Sequence, residues 1–295
     1  MTTLETQVRT GQGRKGNGPS PFPRILVHVG LDRANTDRLG FAVALADRFG
    51  SAVTGAYLMP PLIPSAVAVG DVLPELIVEQ EKLAQADADT AKRAFLDHTT
   101  RKALKTDWHS LREPGVPKIR HLARCADIAV VGQVNPDTPD EAIVLRPEEL
   151  ALGSGRPVLV VPYVGGPHAF GRKVAIAWNG SRESARAVGD AMPFLREAES
   201  IWAISINAQD ETDGKPGPAA ELVKHLADHG LKAEAQILKS SDISAADLLL
   251  SRLADLGADS LVMGCYGHSR MREIVLGGMT RDILRHMTVP VLLSH

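Results

Sequence analysis

Aromatic residues make up only 4% of this 295-residue chain, which leaves few flat platforms on which single-stranded bases could stack. Positive charge is not in excess either: the formal net charge is -2 at pH 7, whereas a nucleic-acid binder needs a surplus of Lys and Arg. There are two cysteines, Cys125 and Cys265. Each stands beside an apolar run rather than in a spaced framework, which argues against structural disulfides and points to a reducing compartment. No apolar run reaches the length needed to cross a bilayer, and no hydrophobic signal core stands near the N-terminus. The expected setting is the cytoplasm, with neither membrane nor nucleic acid as partner.

Catalytic signatures are also scarce. The ten histidines are scattered, and only His225-x3-His229 has helical ligand spacing. It lacks the adjacent Glu of a zinc protease helix, so no metal is expected. Ser181 lies in Asn-Gly-Ser rather than in a Gly-x-Ser-x-Gly elbow, and no acid–base set is tied to it by spacing. Cys265 lies near glycines and His268, a setting for either a reactive thiolate or inert packing. At most a weak ATP hydrolysis is compatible with this inventory.

What the chain does contain is a pattern written twice. Arg24-Ile25-Leu26-Val27-His28-Val29-Gly30, a continuous apolar strand followed by an amphipathic helix, is matched by Arg172-Lys173-Val174-Ala175-Ile176-Ala177-Trp178-Asn179-Gly180 and its own helix. Asp127-Ile128-Ala129-Val130-Val131-Gly132 and Val158-Leu159-Val160-Val161 are matched by Asp259-Ser260-Leu261-Val262-Met263-Gly264 and Val289-Pro290-Val291-Leu292-Leu293. A repeat of this length is the size of a domain, not of a solenoid unit. The reading is a disordered lead over 1–21, a first domain over 22–162, a linker over 163–171 and a second domain over 172–295.

In the second copy the pattern predicts strands at 172–178, 200–206, 232–238, 260–264 and 290–294, with helices at 182–195, 217–229, 243–256 and 279–286. Continuous apolar strands alternating with one-striped helices mean a parallel sheet covered on both faces, a doubly wound α/β domain. In the first copy a long helix is expected from about Leu73 to Lys105, acidic early and basic late. Stretches 135–140 and 147–149, rich in proline and acid, read as loop.

The richest local signal is Gly264-x2-Gly267-x9-Gly277-Gly278, between a strand and the helix opening near Met279. Glycines at a strand exit let bare N–H groups converge on an anion such as phosphate, although each could instead serve only a turn. His268, Arg270, Arg272 and Arg281 cluster around this loop, either as phosphate forks or as solvated surface.

This spacing resembles the universal stress protein family, whose glycine pattern ends in a further Ser or Thr. Val289-Pro290-Val291-Leu292-Leu293 is similar to its terminal strand, and Asn179-Gly180-Ser181 followed by Ser184 to its first loop, usually Asp-Gly-Ser. The resemblance covers 22–162 and 170–295, a tandem member. It implies Rossmann-like domains with strand order 3-2-1-4-5, packed as a pseudo-twofold dimer through antiparallel last strands, with further homodimerisation open. It also implies a stress-responsive regulator holding ATP or another adenine nucleotide in the C-terminal domain, at Asn179, Gly180, Ser181, Gly264, Gly267, His268, Ser269, Arg270, Gly277, Gly278, Met279 and Thr280.

Two residues depart from that pattern: Asn179 replaces the acid, and Gly278 stands where a hydroxyl is expected. The first copy departs further, with Asp32 displaced and no second glycine after Gly132, and is expected to hold no nucleotide. The alternative reading is a nucleotide-free module whose loops meet a protein partner.

Overall fold

The computed structural model describes residues 19–61, 74–134, 145–164, 169–207, 217–240, 242–266 and 278–295. They fall into two compact units, the first running to Gly132 and including Leu145, the second taking in Gln133, Val134 and everything from Arg146 onward.

In the first unit, β1 (Arg24–His28), β2 (Ala52–Leu58), β3 (Thr106–Leu111) and β4 (Ile128–Gly132) alternate with α1 (Asn35–Phe49), α2 (Pro74–Thr100) and α3 (Gly115–Arg124). The strands lie in the order β3-β2-β1-β4, all parallel, with Val27 facing Gly55 on one side and Val130 on the other. Ile25, Leu26, Val27, Ile128, Ala129 and Val130 are at most 1% exposed, as central strands covered on both faces require.

The second unit comprises α4 (Pro147–Ser154), β5 (Val158–Val161), β6 (Lys173–Ala177), α5 (Arg182–Leu195), β7 (Ser200–Ile206), α6 (Pro218–Asp228), β8 (Glu234–Leu238), α7 (Ala245–Leu256), β9 (Ser260–Gly264), α8 (Met279–His286) and β10 (Val291–Ser294). Its order is β8-β7-β6-β9-β10-β5. The run from β8 to β10 is parallel and repeats the expected arrangement 3-2-1-4-5. β5 then pairs antiparallel with β10, Leu292 facing Leu159. Six apolar side chains along this pair, Val158, Leu159, Val160, Val291, Leu292 and Leu293, are fully buried. At roughly 1.5–3 kcal/mol for each buried aliphatic side chain, these six contribute substantially to the core. Compactness and sequence repetition therefore divide the chain differently: α4 and β5 end the first repeat but cluster with the second unit.

Both units use the same tie at the amino end of the central strands. The Asp127 carboxylate accepts the Arg24 N–H at 2.7 Å. Asp259, at the matching place before β9, accepts from the N–H groups of Gly171, Arg172 and Lys173 at 3.0–3.2 Å. Phe170 beside this tie packs edge to face on Phe194 of α5, ring centroids 4.8 Å apart, which anchors the end of the expected linker.

Three expectations are corrected. The long helix stops at Thr100 rather than at Lys105. Thr99 Oγ1 donates back to the Phe95 carbonyl at 2.9 Å, a bond that competes with regular helix geometry, and Ala103 then turns left-handed at φ 49°. Residues 147–149 are not loop but the first turn of α4, with Pro147 opening the helix and Glu148 and Glu149 following it. This is the combination that helix starts favour, since the proline lacks an N–H that would be unpaired there and the acids face the positive end of the dipole. Finally, not every strand is apolar on both faces. The outer strands β3 and β8 are half-exposed, with Glu234, Ala235 and Ile237 open on β8.

Candidate functional site

In a doubly wound sheet, ligands bind beyond the carboxyl ends of the strands where the strand order reverses. In the first unit that place lies beyond β1 and β4, and a side chain occupies it. Arg38, on the first turn of α1, is only 3% exposed. Its guanidinium donates to Asp32 Oδ2 at 2.7 Å, to Asn35 Oδ1 at 3.1 Å and to the His28 carbonyl at 2.8 Å. A Cβ added at Gly132, the end of β4, would come within 2.3 Å of Arg38 Nη1, and one at Gly30 within 2.9 Å of Nη2. These two glycines make room for the Arg38 guanidinium.

The arrangement fixes the local titration. Burial and then the Arg38 charge push the His28 imidazole down to about 3, against an ordinary 6.5, with Asp32 acting the other way. Burial raises the Asp32 carboxyl, but the Arg38 charge and hydrogen bond outweigh it and hold the group below its ordinary 3.8. Between pH 6.5 and about 3 the unfolded chain binds a proton that folded His28 refuses. His28 therefore supports the fold above this window and loses stability through it on acidification, at up to about 1.4 kcal/mol per pH unit. Urea midpoints from pH 7.5 to 4.5 are expected to fall, and His28→Gln to flatten the fall by close to one proton. An unchanged slope in the variant would assign the acid sensitivity elsewhere.

The matching region of the second unit lies beyond β6 and β9. Trp178 follows the last residue of β6. Its N–H donates to the Ile204 carbonyl and its carbonyl accepts the Ser205 hydroxyl, both at 2.8 Å. Asn179 and Gly180 then turn outward, both exposed, with Gly180 left-handed at φ 72°. Asn179 Oδ1 accepts the Ser181 N–H at 3.1 Å, so the residue in the acid's place first closes its own turn. Ser181 is buried and caps α5: its Oγ accepts the Ser184 N–H at 3.2 Å. That hydroxyl is engaged by the helix.

Gly264 ends β9 against the same helix. A Cβ there would lie 2.6 Å from both Glu183 C and Ser184 N. The residue is glycine because α5 touches it, whatever else it does. Glu183, whose backbone and Cβ face Gly264, is buried at 4% exposure and pairs with the exposed Arg182. Burial pushes its carboxyl up, yet the hydrogen bonds from Arg182, its own backbone and Ser181 bring it below the ordinary range. The first turn of α5 thus carries an ionised carboxylate.

Beyond Gly264, Cys265 is fully buried, its Sγ 3.9 Å from the Glu148 carbonyl, and Tyr266 is left-handed at φ 55°. Gly267, His268, Ser269, Arg270, Arg272 and Gly277 lie outside the described residues. Description resumes at Gly278, which precedes α8 in an extended conformation (φ -60°, ψ 126°) with no side-chain cap. A Cβ at Gly278 would meet nothing within 4 Å. Met279 is part-buried, Thr280 buried and Arg281 exposed.

Arg38 and Glu183 were not among the sequence candidates. The available signal was position: each stands four residues before a buried alanine, Ala42 or Ala187, and so on the apolar stripe of its helix. His225 and His229 meet ring to ring at 4.8 Å. Among the described residues no group of three or more His, Cys, Asp or Glu is placed to hold a metal, and no helix is long and apolar enough to cross a membrane.

Residues 171–295 match the model of the universal stress protein family. The universal stress protein Slr1230 of Synechocystis sp. is 36% identical over 125 residues, and that match spans 41% of each chain. Among solved structures, a universal stress protein from Archaeoglobus fulgidus DSM 4304 superposes with a TM-score of 0.69 at 14% identity, covering 93% of this chain and 96% of that one. A putative universal stress protein from Pseudomonas aeruginosa UCBPP-PA14 gives 0.53 at 13% identity, covering 92% and 93%. At such identities the structural matches speak for the fold alone.

Proposed function

From a chain that carries a universal stress protein domain over residues 171–295, we propose a stress-responsive regulator whose second unit holds an adenine nucleotide beyond β6 and β9. The observation that carries this reading is the contrast between the two units. Arg38 fills the reversal point of the first, while the corresponding turn of the second, Asn179-Gly180, is exposed, and α8, which leads into the next strand of the same sheet, has a glycine N-cap that makes no side-chain hydrogen bond. Helix N-termini of this kind attract phosphate. The residues Gly264, Gly267, His268, Ser269, Arg270, Gly277, Gly278, Met279 and Thr280 supply the proposed phosphate side, and Asn179 with Gly180 and Ser181 the nucleoside side.

A second reading, a nucleotide-free module that binds a protein partner, draws support from Glu183. Its ionised carboxylate offsets the attraction of the α5 N-terminus for anions, and Ser181 and Asn179 Oδ1 already serve the helix and its turn.

Calorimetry and thermal shift with ATP, ADP and AMP separate the two. Binding with a rising melting temperature is expected, about 2.7 kcal/mol of stabilisation at a hundredfold excess over Kd. Gly278→Ser restores the hydroxyl where the space is open, and is expected to tighten binding about tenfold, the worth of one charge-assisted hydrogen bond. No heat and no stabilisation at millimolar ligand in either protein would leave the scaffold reading.

A further inference from the structure

Resting on the nucleotide reading above, we infer that Trp178 recognises the nucleoside part of the ligand, its indole N–H donating to an acceptor on the base or sugar. Among the described residues, four buried side-chain polar atoms have no hydrogen-bond partner: Ser51 Oγ, Arg120 Nε, Trp178 Nε1 and Ser294 Oγ. Two of these belong to the first unit, and a third lies on another strand of the second. Ser51 precedes β2, Arg120 is on α3, and Ser294 ends β10 on the far side of β9. Trp178 adjoins Asn179 and Gly180 directly.

Its backbone is held from both sides, by the Ile204 carbonyl and by the Ser205 hydroxyl. Trp178 as a residue is only part-buried. It therefore combines an apolar body reachable from outside with a donor that solvent does not reach, the amphipathic character that puts Trp at recognition surfaces. An indole donates and never accepts, so it selects for ring nitrogens and sugar oxygens.

The first unit supplies the contrast. There the residue with the same backbone bond to the neighbouring strand is Val29, whose N–H donates to the Ala56 carbonyl. It is fully buried and apolar, in the unit whose reversal point Arg38 fills.

The test uses the full chain with 15N-labelled tryptophan. Trp108, Trp178 and Trp202 give three indole signals, and Trp178→Phe assigns one by its loss. Trp108 Nε1 already donates to Ser110 Oγ at 3.0 Å and serves as internal reference. Adenosine and AMP are expected to move the Trp178 signal downfield while Trp108 stays in place. Trp178→Phe, with the urea midpoint preserved, is expected to weaken AMP binding about fivefold, the usual loss for one hydrogen bond.

If AMP binds the wild type with the Trp178 signal unmoved and the variant binds equally well, this inference is overturned and the nucleotide reading stands. A shift produced by inorganic phosphate alone also overturns it. So does an indole N–H that is already hydrogen-bonded and protected from exchange before ligand is added. Absence of any nucleotide binding by the wild type removes both readings together.

Discussion

Gly264→Ala is expected to destabilise the second unit by about 3 kcal/mol, the upper range for forcing one carbon into a packed interior. The added methyl would stand 2.6 Å from two backbone atoms of the first turn of α5. Neither can yield by a rotamer change, so the helix itself must withdraw from β9. Withdrawal loosens Ala187, Val188, Ala191, Phe194 and Leu195, all buried along its inner face. Gly278→Ala is the control: the same atom added in open space on an extended backbone, expected to change the urea midpoint little. Equal midpoints for the two variants would show that α5 tolerates a gap, and the steric account of Gly264 would fail.

Arg38→Met is expected to cost about 3 kcal/mol at pH 7, the lower end for breaking a buried ion pair, because Asp32 retains some contact with water at 32% side-chain exposure. The loss combines the stranded Asp32 carboxylate, the Asn35 amide and the His28 carbonyl that together surround the guanidinium. Its pH dependence identifies the mechanism. With Arg38 present, the Asp32 carboxyl is held below 3.8, so the pair contributes above that value and fades as pH falls through the lowered one. The gap between wild type and variant is therefore widest near neutrality and closes in acid. The double variant with Asp32→Asn is expected to recover part of the loss, with a coupling on the order of 1–3 kcal/mol for groups in one network. Additive single and double variants, or a gap indifferent to pH, would mean that Arg38 acts by filling space only.

Most of the second unit was legible in the sequence because its signals agree with one another. The strands at 200–206 and 260–264 and the helices at 182–195 and 279–286 end where the reading places them. Ser181 and Ser244 cap their helices through side-chain oxygens and Gly257 closes α7 in the left-handed region, so the punctuation coincides with the apolar period. The first unit was harder where punctuation is missing. No glycine or proline marks the end of α2. β3 is an outer strand whose Thr106-Asp107-Trp108-His109-Ser110 face is half-exposed, so it lacks the apolar continuity by which inner strands are recognised.

At the site, spacing picks out Gly264 but not the reason for it, since a glycine kept for a helix and one kept for a phosphate look alike in sequence. The place of Arg38 was hidden for a different reason. A charged residue on an apolar stripe becomes informative only when its partners, brought together from β1 and the turn after it, are known.

The carboxylate ties at Asp127 and Asp259 have a mechanical consequence. Asp259 fastens the beginning of β6 to the beginning of β9 with backbone donors from three successive residues, and these two strands then run side by side toward Asn179 and Gly264. The tie at the amino ends adds to a ladder that continues to Ala177 and Met263, so separation past those residues disturbs the fewest bonds. Movement of the Asn179 turn relative to Gly264 would leave the roots of the sheet, where Asp259 grips three successive N–H groups, in place.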